Sequence, residues 1–277
     1  KNTTFRFISP FMRLHFLVFI AFLSSASAAY AGAWLQPQYH GLAIAQATYY
    51  SSDHYFDAEG TSQKQPRFHK YELQPYVEYG LRDNLTLGGS IYLDRVTQSG
   101  NENHGLADPE IFARTRLWHS DKAVLSLQPL VKFSSYFVDD SPPRGGSKSS
   151  DAELSLLYGR NVEILSTRDY LDARMGYRTR DSGLADQWRM DLALGLSPTP
   201  KWQIIPAVRA SLATHLADAS TTNPESGDSD ARLWKAEITG IYHLNETQWL
   251  QTTLFSHVHG EQTGAGYGAS VGLAQRF

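Results

Sequence analysis

The sequence has no cysteine among its 277 residues, so thiolate catalysis, cysteine-ligated metals and a disulfide framework are all excluded. It also lacks the succession of apolar runs of ~20 residues that a helical membrane bundle requires; one short run exists, at the N-terminus. No sign of charge dominates. The 25 Lys and Arg and 28 Asp and Glu are interspersed and leave a formal charge of -3, so a nucleic-acid partner built on a basic face is not expected. No phosphate-cradling glycine loop or dinucleotide fingerprint occurs, and no cofactor is expected. What the chain does hold in quantity is aromatic, with 15 Tyr, 13 Phe and 6 Trp distributed along its length.

Basic residues up to Arg13 precede the apolar run Leu14 to Leu23, small residues from Ser24 to Ala29, and the tripeptide Ala29-Tyr30-Ala31. That order is the signature of a secretory signal peptide, and a run this short is about half of what a membrane anchor needs. Residues 1–31 are therefore expected to be a leader cleaved after Ala31, with Met12 as the initiator and residues 1–11 upstream of the true start. Residues 32–277 form the exported domain. A long exported chain without cysteine fits a bacterial envelope.

From Gly41 onward, stretches of ~10 residues alternate apolar with polar at the two-residue period of strands, and none sustains a helical period. Tyr71, Leu73, Pro75, Val77 and Tyr79 share one face; Lys70, Glu72, Gln74, Tyr76 and Glu78 share the other. Leu85, Leu87, Gly89, Ile91 and Leu93 likewise oppose Thr86, Ser90, Tyr92 and Asp94. Later segments around Arg114, Lys132, Arg174, Asp191 and Lys235 repeat the pattern, and the segment near 42–50 shows it least clearly.

Such alternation suits either a soluble sandwich, apolar side inward, or a membrane barrel, apolar side outward. The connections favour the barrel. Tight ones at 80–84, 120–122, 165–168, 198–201 and 245–247 alternate with longer polar ones at 52–66, 97–107, 139–150, 181–186, 217–230 and 260–265. Tyr71, Tyr79, Trp188, Trp202, Trp234 and Tyr242 fall near strand ends, where lipid-water interfaces attract aromatic rings. The expected fold is all-β: a transmembrane up-and-down antiparallel β-barrel of about twelve strands, in the bacterial outer membrane, with short periplasmic turns and longer outer loops.

Two segments are more specific. They are Gln74-Pro75-Tyr76-Val77-Glu78-Tyr79-Gly80-Leu81-Arg82-Asp83-Asn84-Leu85-Thr86-Leu87-Gly88 and Gly105-Leu106-Ala107-Asp108-Pro109-Glu110-Ile111-Phe112-Ala113-Arg114. Both resemble the transporter-type outer-membrane barrel family labelled as a meta-pathway phenol-degradation family. The resemblance covers the second to fourth strands and implies passage of small solutes, including hydrophobic or aromatic ones, rather than catalysis. The terminal strand ending in Phe277 resembles the C-terminal signal of outer-membrane barrels, with Gln275 departing from it, and implies handling by the barrel-assembly machinery.

On the barrel reading, charged side chains of the polar face cannot meet lipid, where a midplane Arg or Lys costs ~2–4 kcal/mol. The pore-lining candidates are therefore Lys70, Glu72, Glu78, Asp94, Glu110, Arg114, Arg116, Lys132, Asp172, Arg174, Arg178, Arg189, Asp191, Arg209, Lys235 and Glu237. They would either form a cross-strand network that fills the lumen or line a passage for solutes. The expected function is passive passage of small molecules; a non-conducting structural or surface-interaction barrel and a lipid hydrolase are the alternatives. For the hydrolase, no His-x-Ser occurs, and Ser256 and His257, being adjacent, point to opposite faces of a strand. Asp228 and Asp230 have no accompanying Asp-x-His, so no catalytic residue is assigned. His257 and His259 share a face but lack converging ligands, so no metal is expected.

Overall fold

The computed structural model describes residues 32–138, 143–181, 183–216 and 230–277. The leader expected over 1–31, residues 139–142 of the connection expected over 139–150, and all but Asp230 of the loop expected over 217–230 lie outside them.

Twelve long strands and one short one account for most of the described residues: β1 (Gly41–Phe56), β2 (Ser62–Arg82), β3 (Leu85–Gln98), β4 (Asn101–His119), β5 (Ala123–Lys132), β6 (Tyr136–Phe137), β7 (Asp151–Val162), β8 (Asp169–Arg180), β9 (Gln187–Gly195), β10 (Trp202–Ala213), β11 (Arg232–His243), β12 (Gln248–Glu261) and β13 (Thr263–Arg276). Each long strand pairs antiparallel with its neighbours in sequence, except that β7 follows β5 directly in the wall; β1 pairs with β13, which closes the sheet. Closure matters physically because it leaves no backbone edge needing a partner that lipid cannot supply. At the seam, Gly41 and Phe277 exchange backbone hydrogen bonds of 2.7 and 3.0 Å. The small β6 adds a second partner to the first part of β4 through Gly105 and Leu106.

The alternation resolves into inside and outside. Leu73, Val77, Leu87, Ile91, Leu93, Ile111, Leu154, Met175, Leu192, Ile238, Leu254 and Val271 are all solvent-accessible on the outer wall, while Glu78, Thr86, Arg114, Ser126, Glu153 and Gln203 are buried inside it. A soluble sandwich would show the reverse. Aromatic rings border the apolar wall at both levels. Trp202 packs on Tyr242 near the short-turn end with ring centres 4.9 Å apart, and Tyr177 packs on Trp188 near the other end at the same separation. Tyr49 and Tyr71 pair at that far level too, at 5.2 Å.

The five tight connections fall where the sequence puts them, all at one end, with the termini of the barrel wall. The long connections need correction. Residues 52–66 are largely strand, leaving only 57–61 between β1 and β2; the 97–107 connection is a two-residue turn at Ser99 and Gly100; and 260–265 reduces to Gln262. Ser99, Gly100 and Gln262 all take the left-handed backbone that such tight reversals need. The physical reason is that these hairpins extend beyond the apolar band. There neither face meets lipid, so the ladder continues without hydrophobic alternation.

Candidate functional site: the charged barrel interior

Because successive side chains of a strand point to opposite faces, one apolar outer face commits every second residue to the interior. All sixteen predicted lining residues have that inward parity. Most are brought into ion-pair clusters.

Near the short-turn end, Glu78 on β2 pairs with Arg114 on β4 at 2.9 Å, and both side chains are almost completely buried. Arg114 also donates to Gln128 Oε1 and to the Trp34 carbonyl, each at 2.9 Å. Glu78 accepts from Gln36 Nε2 at 2.8 Å and from the Tyr76 hydroxyl. Every polar atom of the pair is thus engaged, which a buried ion pair needs if it is not to be a net cost. On the adjoining wall, Lys70 lies 2.8 Å from Glu72 and 3.6 Å from Asp94.

A longer belt runs around the opposite wall. Glu110 on β4 meets Arg178 on β8 at 3.1 Å; Arg178 holds Glu153 on β7 at 2.7 Å; and Glu153 also pairs with Arg174. Arg174 continues to Asp191 on β9 at 3.5 Å, Asp191 to Arg209 on β10 at 3.4 Å, Arg209 to Glu237 on β11 at 2.6 Å, and Glu237 to Lys235 at 2.6 Å. Alternating charge therefore passes without interruption from β4 to β11. Lys132 is held beside this belt by Asp151 at 3.0 Å and Asp108 at 3.5 Å.

Three predicted residues stay outside these clusters. Asp172 accepts the Ala33 backbone N–H at 2.9 Å, Arg189 donates to the Ser211 hydroxyl at 3.2 Å, and Arg116 makes no ion pair among the described residues. Asp108, Asp151 and Arg180 belong to the interior without having been among the candidates. Parity could have found them, since they share a face with Glu110, Glu153 and Arg178. Asp108 was harder to read because it sits at a bulge, with φ 39.

Two segments that are not part of the wall lie inside it. Residues 32–38 run along the interior near the short-turn end. Ser126 donates to the Ala33 carbonyl at 2.7 Å, Thr86 accepts the Gln36 N–H at 2.9 Å, and Ala33 packs with Val124 and Leu157. Trp34 meets Tyr170 edge-on with ring centres 5.5 Å apart and lies over Gly159, where an added Cβ would come within 2.6 Å of the indole. The second segment is residues 143–150. The Ser147 N–H donates to Asp108 Oδ1 at 2.9 Å, and Gly145 sits so close to Asp94 that a Cβ would come within 2.2 Å of its carboxylate. Neither segment alternates in sequence, so periodicity gives no hint of either.

Beside the second segment, at Ser147, is a cavity of about 460 Å³, bordered by the belt. Its lining carries seven basic side chains and four acidic ones. Among the described residues no cluster of His, Asp or Glu has a metal-binding arrangement. His257 is inward and bonded to the Gly264 carbonyl at 2.7 Å, while His259 is exposed against Phe56 across a bulge. Ser256 donates only to a backbone carbonyl, that of His257, and has no imidazole beside it.

No family model matches the chain and no curated protein matches it in sequence. Solved structures do match it in fold. An outer membrane channel from Pseudomonas putida F1 superposes with a TM-score of 0.72 at 13% identity, covering 90% of this chain and 100% of that one. The NanC porin gives 0.54 at 9% identity, with 84% and 98% covered. The KdgM porin, solved in complex with disordered oligogalacturonate, gives 0.52 at 9% identity, with 85% and 99% covered. At these identities the likeness is one of fold.

Proposed function

We propose that the protein is an outer-membrane channel for passive passage of small solutes. The observation that carries this reading is a closed barrel with an apolar exterior and a solute-sized cavity ringed by ionised side chains. The fold likeness to outer-membrane channels and porins supports it. In this reading the short-turn end faces the periplasm, the chain arrives there after loss of the leader, and outer-membrane lipid surrounds the wall. The strand ending in Phe277 is what the assembly machinery engages. The finer expectation, drawn from the Glu78-Tyr79-Gly80 and Leu85-Thr86-Leu87-Gly88 motifs, is that the solutes are hydrophobic or aromatic, as in the phenol-degradation family. An interior of this charge favours the polar or ionised members of that class.

A second reading, a barrel shut at rest, draws support from the two segments inside the lumen. Planar-bilayer recording separates the two. The channel reading expects stepwise conductance from the purified full chain and larger steps when residues 32–38 are deleted. Silence from the full chain with steps from the deletion variant supports the shut barrel. Silence from both overturns passage altogether.

A further inference from the structure

The cavity is uneven in how its charges are satisfied. Of the arginines around it, Arg174, Arg178, Arg180 and Arg209 each have a carboxylate within ion-pair distance. Arg189 has none among the described residues, and its one hydrogen bond is to a neutral hydroxyl. The carboxylates of adjoining strands are already committed: Glu153 to Arg174 and Arg178, Asp191 to Arg174 and Arg209. Register explains why no carboxylate stands directly beside it on the neighbouring strands. Arg189 is paired with Gly176 on one side and Ser211 on the other, so a glycine and a small side chain flank it where it borders the cavity. An arginine fork left without a carboxylate at the wall of the cavity, where the other bases each have one, is chemically incomplete. The missing partner is an oxyanion.

We propose that Arg189 is the anchor of an anion subsite, and that the solute it takes is a small organic carboxylate, held by the guanidinium with Ser211 beside it. The proposal rests on the channel reading and narrows its substrate class. The probe is benzoate, with benzyl alcohol as its uncharged counterpart. In planar bilayers, benzoate reduces single-channel current saturably, benzyl alcohol does not, and R189Q weakens the benzoate effect at least tenfold. R189K restores part of it, and K122Q, at an exposed turn, leaves it unchanged. Should the wild-type chain not conduct, the channel reading fails, and the subsite is then tested by calorimetric titration of benzoate into detergent-solubilised protein. Equal affinity for R189Q and wild type, or equal binding of benzyl alcohol, overturns the subsite whether or not the channel conducts.

A separate observation concerns Asp172. This interior carboxylate has no cation within ion-pair distance among the described residues and is bonded only to the Ala33 N–H. Gly32 lies against it, since a Cβ there would come within 2.2 Å of Oδ2; covalent geometry then puts the Gly32 nitrogen within about 5 Å of that oxygen. Gly32 is also the residue that the expected leader cleavage would make N-terminal. Hydrolysis of the Ala31–Gly32 bond by a signal peptidase adds water, leaves a carboxylate on Ala31 and frees an amine on Gly32, which takes up a proton. We infer that this new ammonium is the counter-charge of Asp172 and that processing fastens residues 32–38 inside the barrel. Intact mass spectrometry should show a mature chain starting at Gly32, whose amine reacts with an acylating reagent at least tenfold more slowly than in D172N. A different start, or the same labelling rate in both proteins, overturns the inference.

Discussion

Arg114 illustrates what single residues contribute here. It holds Glu78, Gln128 and the Trp34 carbonyl together, so it couples three wall strands, β2, β4 and β5, to the segment inside. Arg114→Ala leaves Glu78 buried and without its cation, a change that typically costs about 3–5 kcal/mol. Urea unfolding in lipid vesicles, followed by tryptophan fluorescence, should show that loss. A double variant that also replaces Glu78 with Gln should lose less than the two single losses added together. The side chains themselves were legible in advance, because an Arg and a Glu on the non-lipid face of the wall have nowhere else to go. Their pairing was not legible, since parity fixes a face and leaves the height along the barrel to register. Three bulges shift that register in β4 and its partners.

At the scale of elements, the sequence locates strands where lipid imposes alternation and loses them where it does not. The hairpin from β1 to β2 shows this. Its outer part was expected to be loop because residues 52–66 are polar, yet the ladder continues to Phe56 and resumes at Ser62. Local chemistry closes the turn. Asp57 accepts hydrogen bonds from the Gln63 side chain at 2.9 Å and from the backbone N–H groups of Thr61 and Glu59 at 2.7 and 3.2 Å. The Gln63 amide, followed by those two N–H groups, holds the exposed Asp57 carboxyl below its usual 3.8. Since folding lowers this value, the carboxylate's contribution to the turn is complete above the unfolded range and is lost as pH falls through the folded value. Carboxyl NMR titration should give an Asp57 midpoint below 3.8, with exchange of the Thr61 amide speeding up only on the acid side of it. An Asp57→Asn variant should show no such pH dependence. The segments inside the lumen mark the other limit of sequence reading, because their positions follow from contacts such as Trp34 on Tyr170 rather than from any period.

For the molecule as a whole, the exterior is the decisive property. Leu254 sits mid-strand on the outer wall of β12, with Leu250 and Val258 exposed on the same face. Leu254→Arg should cost about 2–4 kcal/mol in vesicles, whereas an arginine at the inward Thr253 should cost less if water reaches the interior there. Measured by the same urea titration, equal penalties at both sites would argue against an apolar-outward barrel. Sequence alternation gave the two faces, and the connections and aromatic positions were needed to turn the apolar one outward. It could not reveal how nearly the interior is filled.

The reciprocal bonds between Gly41 and Phe277 carry a consequence for biogenesis. The first and last wall residues are neighbours in space and 236 positions apart in sequence, so the final ring of hydrogen bonds can form only after the last strand has been delivered. Until then every intermediate is an open ribbon with two unsatisfied margins. A chain stalled a few residues short would leave β1 unzipped along one side, a defect that proteases of the compartment could recognise by its exposed backbone alone.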